Sequence, residues 1–377
     1  MKHIKKILGG SFALLLLTLA AATVVEKVCG STVAHRCVYG AWWFVALWAV
    51  VGVSAFAYIF GHKLYKNLPT FALHCAFGLI LVGALITFVC AERGYLHVRQ
   101  GETSSVYISE KDSAQHPLPF GVKLVLFDIE YHAGTSEPAD FISFLKVDTT
   151  MCRVSMNKIY THNAYRFYQM DYDPDEMGTT LLVSRDPWGI GITYAGYILL
   201  GLSMLWLLWL RLGWKGLLCL AAAVAALWFY IAHINPMTPV LRTPMLAAHV
   251  SVIMAAYVLL VVITVRSIVA LCKPKYAEPF YRRNALLLYP AVFLLAAGIF
   301  IGAVWANISW GRYWGWDAKE TWALITLLVY ALPMHKKVIP YFGTPRKFHI
   351  YCVVAVVAML MTFFGVTFLL GGIHSYI

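Results

Sequence analysis

The sequence predicts a polytopic α-helical membrane protein of about nine transmembrane helices, with one β-rich extracytoplasmic domain inserted between helices 3 and 4. Three observations predict this fold class. The 377 residues are 60 % hydrophobic and only 13 % charged, whereas soluble domains usually carry about 25 % charged residues. Nine apolar stretches approach the roughly 20 residues that a helix needs to cross a bilayer. One hydrophilic segment, residues 92–190, interrupts them.

The apolar stretches give the expected helices in order. They are residues 7–25, 39–60, 69–91, 191–210, 215–234, 246–271, 285–305, 320–335 and 349–371. The opening "MKHIKK" and the apolar run after it also resemble a cleavable signal peptide. Because Glu26 and the second apolar stretch follow closely, we expect the first helix to be retained.

The loops between these stretches predict the orientation of the chain. Lys and Arg are retained in cytoplasmic loops, and here every second loop is basic. The basic residues concerned are Lys2, Lys5, Lys6, Lys63, Lys66, Arg211, Lys215, Lys273, Lys275, Arg282, Arg283, Lys336, Lys337, Arg346 and Lys347. The N-terminus is therefore expected inside, and the C-terminus and residues 305–320 on the outer face.

The distribution of charge argues against a nucleic-acid partner despite the net charge of +12. Residues 92–190 contain 14 of the 18 acidic residues and 9 of the 30 basic ones, so this segment is acidic. The basic excess lies in the membrane part, where it follows the expected topology. The chain is thus predicted to interact with a lipid bilayer and not with nucleic acid.

Residues 92–190 are expected to form a small β-rich domain on the outer face. Stretches such as "VKLVLFDIEYH", "FISFLKVD" and "TTLLVSR" are short, rich in β-branched residues and partly alternating. Turn-forming stretches such as "AGTSEPAD" separate them, as expected of consecutive strands. We therefore divide the chain into membrane residues 1–91, an external domain at 92–190 and membrane residues 191–377.

The eight cysteines include no C-x-x-C pair. This absence disfavours a thioredoxin-like site, a zinc ribbon or a haem attached covalently to the chain itself. Cys29 and Cys37 both fall in the first external loop. Either they form a disulfide in an oxidising compartment, or they remain separate thiols.

Four histidines form two pairs at matching depths of the predicted membrane part. His74 lies early in the third helix. His335 lies at the inner end of the eighth helix, and the helical rise of 1.5 Å per residue puts it about 27 Å from Asp317. His249 and His374 lie at the outer ends of the sixth and ninth helices. A single such histidine is most often hydrogen-bonded within the structure or exposed at the interface, but two matched pairs favour axial ligation of haem iron.

A tryptophan-rich segment lies between the outer histidines in the predicted topology. Residues 305–322, "WANISWGRYWGWDAKETW", contain five of the 13 tryptophans and two of the few acidic residues of the membrane part. An interfacial aromatic belt explains one or two indoles but not the motifs Trp310-Gly311 and Trp314-Gly315-Trp316-Asp317. Indoles that cover a flat apolar ring, with glycines that permit close backbone approach, indicate a porphyrin site.

The same segment resembles the WWD signature of haem-handling proteins. "WGRYWGWDAKETWALITLLVYALPMH", "LRTPMLAAHVSVIMAAY" and "FFGVTFLLGGIHSY" are similar to the CcsA/ResC form, whereas "ADFISFLKV", "AYRFYQMDYDPD" and "VSRDPWGIGITYAGY" resemble its partner CcsB/ResB. The chain therefore resembles a compact fused CcsBA, the system II cytochrome c synthase. It departs from the family pattern at Ala318, where proline is expected, and in its short external domain.

The resemblance implies a set of site residues and a membrane location. His74 and His335 would ligate haem within the membrane, and His249 and His374 would ligate it at the external site. The segment in contact with haem b, which is held non-covalently as substrate, would contain Trp310, Gly311, Trp314, Trp316, Asp317, Glu320 and Trp322. The implied location is a bacterial cytoplasmic (inner) membrane with the active site on the periplasmic face.

The implied reaction is thioether formation between haem and the Cys-x-x-Cys-His segment of an apocytochrome c, supported by thiol-reducing proteins of the outer face. Asp317, with His249 and His374, would belong to the catalytic site. Two alternatives stay open: a haem exporter or relay that passes haem to a separate lyase, and a two-haem electron-transfer subunit with four permanent histidine ligands.

Overall fold

The computed structural model describes residues 2–134, 136–156, 158–234 and 243–370. Nine α-helices and eight strands are described in these ranges. In chain order they are α1 (Lys2–Cys29), α2 (Ser31–Ala34), α3 (Trp42–Gly61), α4 (Leu68–Cys90), β1 (Glu92–Arg99), β2 (Thr103–Ser109), β3 (Gln115–Tyr131), β4 (Pro138–Val147), β5 (Thr150–Ser155), β6 (Tyr160–His162), β7 (Tyr165–Tyr172), β8 (Gly178–Arg185), α5 (Gly189–Ile234), α6 (Pro244–Cys272), α7 (Ala277–Trp310), α8 (Ala318–Ala331) and α9 (Pro345–Leu360).

Seven helices of the described ranges are long and apolar enough to cross a membrane. They are α1, α3, α4, α5, α6, α7 and α9, so the protein is a multi-pass membrane protein with a β-sheet region. α5 alone covers two of the predicted spans, because its 46 residues are interrupted at Gly213, where φ is 67° and ψ is 178°. α8 has only 14 residues and continues as a 3₁₀ turn to His335. The predicted number of nine spans depends on α5 and α8 and stays a prediction.

The eight strands form one antiparallel sheet in the order β5-β4-β3-β2-β1-β8-β7-β6. Ser155 at the end of β5 and Lys158, which precedes β6, form an isolated antiparallel bridge. One apolar cluster takes residues from strands across the whole sheet, among them Leu96, Val122 and Phe167. The sheet therefore curls around this core, and the opposite face of β1, β8 and β7 is left for other contacts.

Two further apolar clusters organise the helices. The larger cluster joins α6, α7, α8 and α9 through residues such as Leu260, Leu295 and Cys352. The smaller one joins α1 and α3 to α8 through Leu19, Phe44 and Ile325, with Trp316 and Trp322 packed against it. The second cluster thus fastens the N-terminal helices to the tryptophan-rich segment.

Candidate functional site

The helices have one end at the sheet, here called the sheet end. α4 runs directly into β1, and β8 is followed by α5. The His35 side chain, which follows α1, binds the Gly315 carbonyl at this end. At the far end, Lys5 Nζ donates a hydrogen bond to the Val338 carbonyl (2.7 Å). The residues between α7 and α8 therefore lie against the sheet, and the loop after α8 lies beside the N-terminus.

The tryptophan loop, residues 311–317, joins α7 to α8 at the sheet end. α7 ends at Trp310, and Gly311 follows in the left-handed conformation with φ of 75°, which glycine adopts without steric cost. Asp317 is 5 % exposed and caps α8 by accepting a hydrogen bond from the Lys319 amide (2.8 Å). Such a cap contributes about 1 kcal/mol, so helix α8 begins at Ala318 without the proline expected there.

Gly311 approaches the sheet closely. A Cβ atom built on Gly311 would lie 2.8 Å from the Tyr168 ring and 3.0 Å from the Leu182 side chain. Arg93 also donates a hydrogen bond from Nη2 to the Gly311 carbonyl (2.7 Å). The sequence attributes this glycine to close approach of a porphyrin, which stays a prediction; in the structure Gly311 packs against β7 and β8.

The indole of Trp316 packs on aromatic residues of the N-terminal part. Its ring stacks on Tyr39 at 4.9 Å between centroids with planes 10° apart, and it meets Phe44 edge-on at 5.2 Å. Trp316 has a φ of 55°, a conformation that costs about 1–3 kcal/mol for a residue other than glycine. These ring contacts, worth about 0.5–1.5 kcal/mol each, hold it there.

The other four tryptophans of the segment are also in contact with protein. Trp305 and Trp310 form an edge-to-face pair at 4.8 Å, and Trp314 packs against the larger helical cluster. Trp322 donates from Nε1 to Thr23 Oγ1 on α1 (3.1 Å). The segment is therefore built into the helical body, in contrast to indoles that only anchor a loop in the lipid interface.

Gly315 is held at both polar atoms of its backbone. Its amide donates to Glu320 Oε2 (2.7 Å), and its carbonyl accepts a hydrogen bond from His35 Nε2 (2.9 Å) in the tautomer with a proton on that nitrogen. Burial lowers the pKa of His35 below its ordinary value, so the ring is neutral at pH 7 and still donates. Glu320, which belongs to the tryptophan-rich segment, and His35, which belongs to the N-terminal part of the chain, thus both hold the backbone of the loop.

The predicted inner pair lies together in the structure. The rings of His74 and His335 have centroids 6.0 Å apart and planes at 85°. In each ring Nδ1 bonds a carbonyl one helical turn earlier, Thr70 at 2.7 Å and Ala331 at 2.9 Å. A proton on Nδ1 leaves Nε2 as the lone-pair donor that a metal takes. The chemistry of this pair fits haem iron; its ligand role stays a prediction.

The predicted outer pair lies partly outside the described residues. His249 is on α6 near the sheet end, and its Nδ1 bonds the Gly298 carbonyl on α7 (2.7 Å). A Cβ on Gly302 would lie 2.6 Å from the His249 ring, so this glycine makes room for the imidazole. His374 lies outside the described residues. The pairing of His249 with His374 therefore remains a prediction.

Several residues of the site have no distinct signal in the sequence. His35 and Tyr39 follow α2 in a short connecting segment, and Arg93 and Tyr168 lie on strands as ordinary alternating residues. Their contacts with the tryptophan loop join segments more than 140 residues apart in the chain. Residue patterns along a single sequence do not indicate contacts between segments that lie so far apart in the chain.

The two cysteines on either side of α2 are separate thiols in the structure. Cys29 and Cys37 are both unpaired and exposed. Of the two alternatives that the sequence leaves open, the structure therefore has the reduced one.

Two family models match the chain in succession. Residues 58–190 match the ResB-like family, and residues 192–374 match the family described as cytochrome C assembly protein. This multi-pass membrane protein therefore carries a ResB-like segment and a segment that matches cytochrome C assembly proteins in one polypeptide. This is the combination of a fused, CcsBA-type chain, as the sequence predicts.

Curated relatives match the chain over part of their length. It is 37 % identical to protein NrfI of Wolinella succinogenes over 162 residues, which are 39 % of this chain and 18 % of NrfI. It is 35 % identical to CcsA of Chlamydomonas reinhardtii over 38 % of this chain and 43 % of that protein. It is 32 % identical to CcsA of Synechococcus sp. (strain CC9605) over 43 % of this chain and 64 % of that protein. The chain thus spans less than two thirds of each of these relatives.

Replacement of Trp316 by alanine is expected to lower the haem retained per protein several-fold. The change removes the stack on Tyr39 and the contact with Phe44 that hold the tryptophan loop, each worth about 1 kcal/mol. Trp316→Phe should retain part of the haem. Haem and membrane abundance are measured together for each variant.

A matched control separates this role from membrane anchoring. Trp209 on α5 is 64 % exposed in a lipid-facing position, so Trp209→Ala should leave haem per protein unchanged. If Trp316→Ala and Trp209→Ala retain haem equally well, the tryptophan loop only anchors the chain in the interface.

Proposed function

We propose that the protein is a cytochrome c synthase that moves haem b across the membrane and attaches it to apocytochromes c at the sheet end. The observation that carries the proposal is the contact of the tryptophan loop with the ResB-like sheet. The loop belongs to the cytochrome c assembly segment, whereas Arg93, Tyr168 and Leu182 belong to the ResB-like segment. Gly311 packs on all three, so both segments build one site.

The proposed path begins at the far end of the helices. His74 and His335 take up haem from the cytoplasmic side, which places the N-terminus inside and the sheet on the outer face. His249 and His374 then hold haem at the sheet end, non-covalently and with its iron reduced. The functional division of the chain at residues 91 and 190 follows from this path: the first and third parts carry the histidines, and the external part completes the outer site.

The proposed chemistry needs no nucleophile from this chain. Each thiol of the Cys-x-x-Cys-His segment adds across one vinyl double bond of haem: sulfur bonds to the carbon next to the ring, and a proton goes to the terminal carbon. The addition consumes no oxidant or reductant. The substrate histidine replaces one outer ligand and brings both thiols to the vinyl groups, so proximity supplies much of the rate.

The chain's own residues act by positioning. Asp317 caps α8 and Glu320 fixes the Gly315 amide, which keeps the tryptophan loop in one conformation for the bound substrate. Reduced thiols must be supplied from outside, because the exposed cysteines of this chain include no C-x-x-C pair. Thiol-reducing proteins of the outer face are the partners that meet this requirement.

Co-expression with an apocytochrome c in a host without its own maturation system tests the function. We expect haem that stays on the cytochrome after denaturing electrophoresis, and none when both cysteines of the Cys-x-x-Cys-His segment are serine. Haem delivered to the outer face without covalent product would support an exporter or relay instead. Stable quinol oxidation with no haem transfer would support an electron-transfer subunit.

A further inference from the structure

Three arginines meet at the seam between the sheet and the tryptophan loop. Arg93 on β1 and Arg166 on β7 both lie directly opposite Ser184 on the intervening strand β8, so they share one row and one face of the sheet. Two strand spacings of about 4.8 Å separate their backbones. Arg312 follows Gly311, whose carbonyl accepts a hydrogen bond from Arg93. We call Arg93, Arg166 and Arg312 the arginine seam.

The arginine seam has more positive charge than its surroundings balance. Within the part of the chain that the structure describes, none of the three forms an ion pair. Glu110 and Tyr168 raise the pKa of Arg93, whereas Arg312 and Arg166 lower it, and Glu110 already accepts a hydrogen bond from the Tyr95 hydroxyl. Burial and these like charges lower the pKa of Arg93. An anion at the seam would relieve the repulsion.

The seam also contains buried polar atoms that lack a hydrogen-bond partner among the described residues. They are Arg93 Nε, Arg166 Nη2, Ser184 Oγ and Tyr168 Oη. All four belong to the face of β1, β8 and β7 that meets the tryptophan loop, and three are donors in adjacent positions of a single row. Buried polar groups almost always have a partner, so this cluster is built to receive an acceptor.

We propose that the arginine seam binds the propionate carboxylates of haem held at the sheet end. Guanidinium groups bind carboxylates in a planar, bidentate geometry, and haem carries two carboxylates on one edge. His249 contacts Gly302 on α7, and Gly311 lies nine residues further, about 13 Å by the helical rise. Because His249 is the expected iron ligand, the distance to be spanned is that from the iron to the propionates together with the length of an arginine side chain, which is of this order.

The inference rests on the proposed function and adds an orientation to it. With the propionates at the sheet, the vinyl edge of haem points away from the seam. The two reacting groups are then presented to the apocytochrome, and the charged groups are covered by the arginines. The sheet therefore selects which edge of haem is exposed.

Titration of the purified full chain with haem and with haem dimethyl ester tests the assignment. The ester retains iron and vinyl groups but has no carboxylate charge. We expect the wild type to bind the ester about tenfold more weakly than haem, and Arg93→Gln with Arg166→Gln to reduce this preference to about twofold or less. The Lys variants at both positions should keep an intermediate preference.

Arg99→Gln is the matched control, because Arg99 lies on the same strand but is paired with Asp173 (2.6 Å) and Asp175. It should keep the full preference for haem over the ester, and thermal unfolding confirms that every variant is folded.

Equal binding of haem and ester by the wild type, or an unchanged preference in the double variant, would overturn the inference. Maturation by the wild type would still support the proposed function in that case. A double variant that loses maturation but keeps the preference assigns the seam to a carboxylate of the apocytochrome, which also overturns it. Absence of haem binding by the wild type would reject both proposals.

Discussion

Replacement of His249 by alanine is expected to abolish covalent haem attachment while the protein stays in the membrane at normal abundance. The imidazole is fixed by a hydrogen bond from Nδ1–H to the Gly298 carbonyl at 2.7 Å, which holds the proton on Nδ1, so Nε2 is the atom expected to ligate iron. It rests in a recess formed by Gly302. Removal of a ring that is positioned in this way leaves the proposed outer site with only one of its two expected iron ligands.

The expected loss of cytochrome product exceeds about 100-fold, because even the hydrogen-bond partner of a metal ligand contributes about 10–100-fold to metal affinity. His374→Ala should give the same result, since the proposed site needs both ligands. The measurements are the absorption spectrum of bound haem and the yield of covalent cytochrome. His233→Ala serves as control: this exposed histidine bonds the Phe229 carbonyl near the end of α5 and takes no part in the proposed site.

A second substitution tests the recess itself. Gly302→Ala places a methyl group 2.6 Å from the His249 ring, so the imidazole must turn or move. We expect a shifted haem spectrum and reduced product with His249 still present. Normal spectra and yields for His249→Ala, His374→Ala and Gly302→Ala would show that His249 is a packing residue of α6 and α7.

The sequence predicts features that depend on local pattern. Alternation along residues 92–190 predicts strands, and the sheet spans Glu92 to Arg185. The basic loops predict which helix ends lie together, in agreement with the bond between Lys5 and Val338. Depth counting along the third and eighth predicted helices places His74 and His335 at one depth, because helical rise is constant, and in the structure their rings are 6.0 Å apart. Local periodicity and helix length carry this information.

Tertiary partners of the tryptophan loop are not accessible to the same reasoning. His35 reaches Gly315 across 280 residues of sequence, and the row formed by Arg93 and Arg166 exists only through the register with Ser184. Gly311 shows the consequence most clearly. The sequence indicates close backbone approach at this glycine, but its neighbour in the structure is Tyr168, which no spacing in the sequence indicates.

Replacement of His74 or His335 by alanine is expected to lower haem at both ends of the proposed path. The 6.0 Å between their ring centroids is close to the separation of two imidazoles on opposite sides of one metal ion, given metal–nitrogen bonds of about 2 Å and a ring centre about 1 Å behind each nitrogen. Loss of one ring removes an axial ligand. Haem then fails to enter, and the site at the sheet end receives none.

Free imidazole should restore haem binding in these two variants, because the alanine leaves a space of the same shape as the added ligand. The measurement is haem per protein, with and without imidazole, together with cytochrome yield. His62→Ala is the matched control: its Nδ1 bonds a carbonyl one turn earlier, as in His74 and His335, but its ring stacks on Tyr58 instead of facing a histidine.

The rescue distinguishes a ligand from a structural histidine. A structural histidine contributes through its hydrogen bond to the backbone, so its loss lowers protein abundance, and added imidazole does not raise haem per protein. A ligand contributes through Nε2, so its loss lowers haem at constant abundance and imidazole reverses the loss. If both variants keep wild-type haem and yield, the 6.0 Å pair is a packing contact between α4 and the end of α8, and haem enters the protein elsewhere.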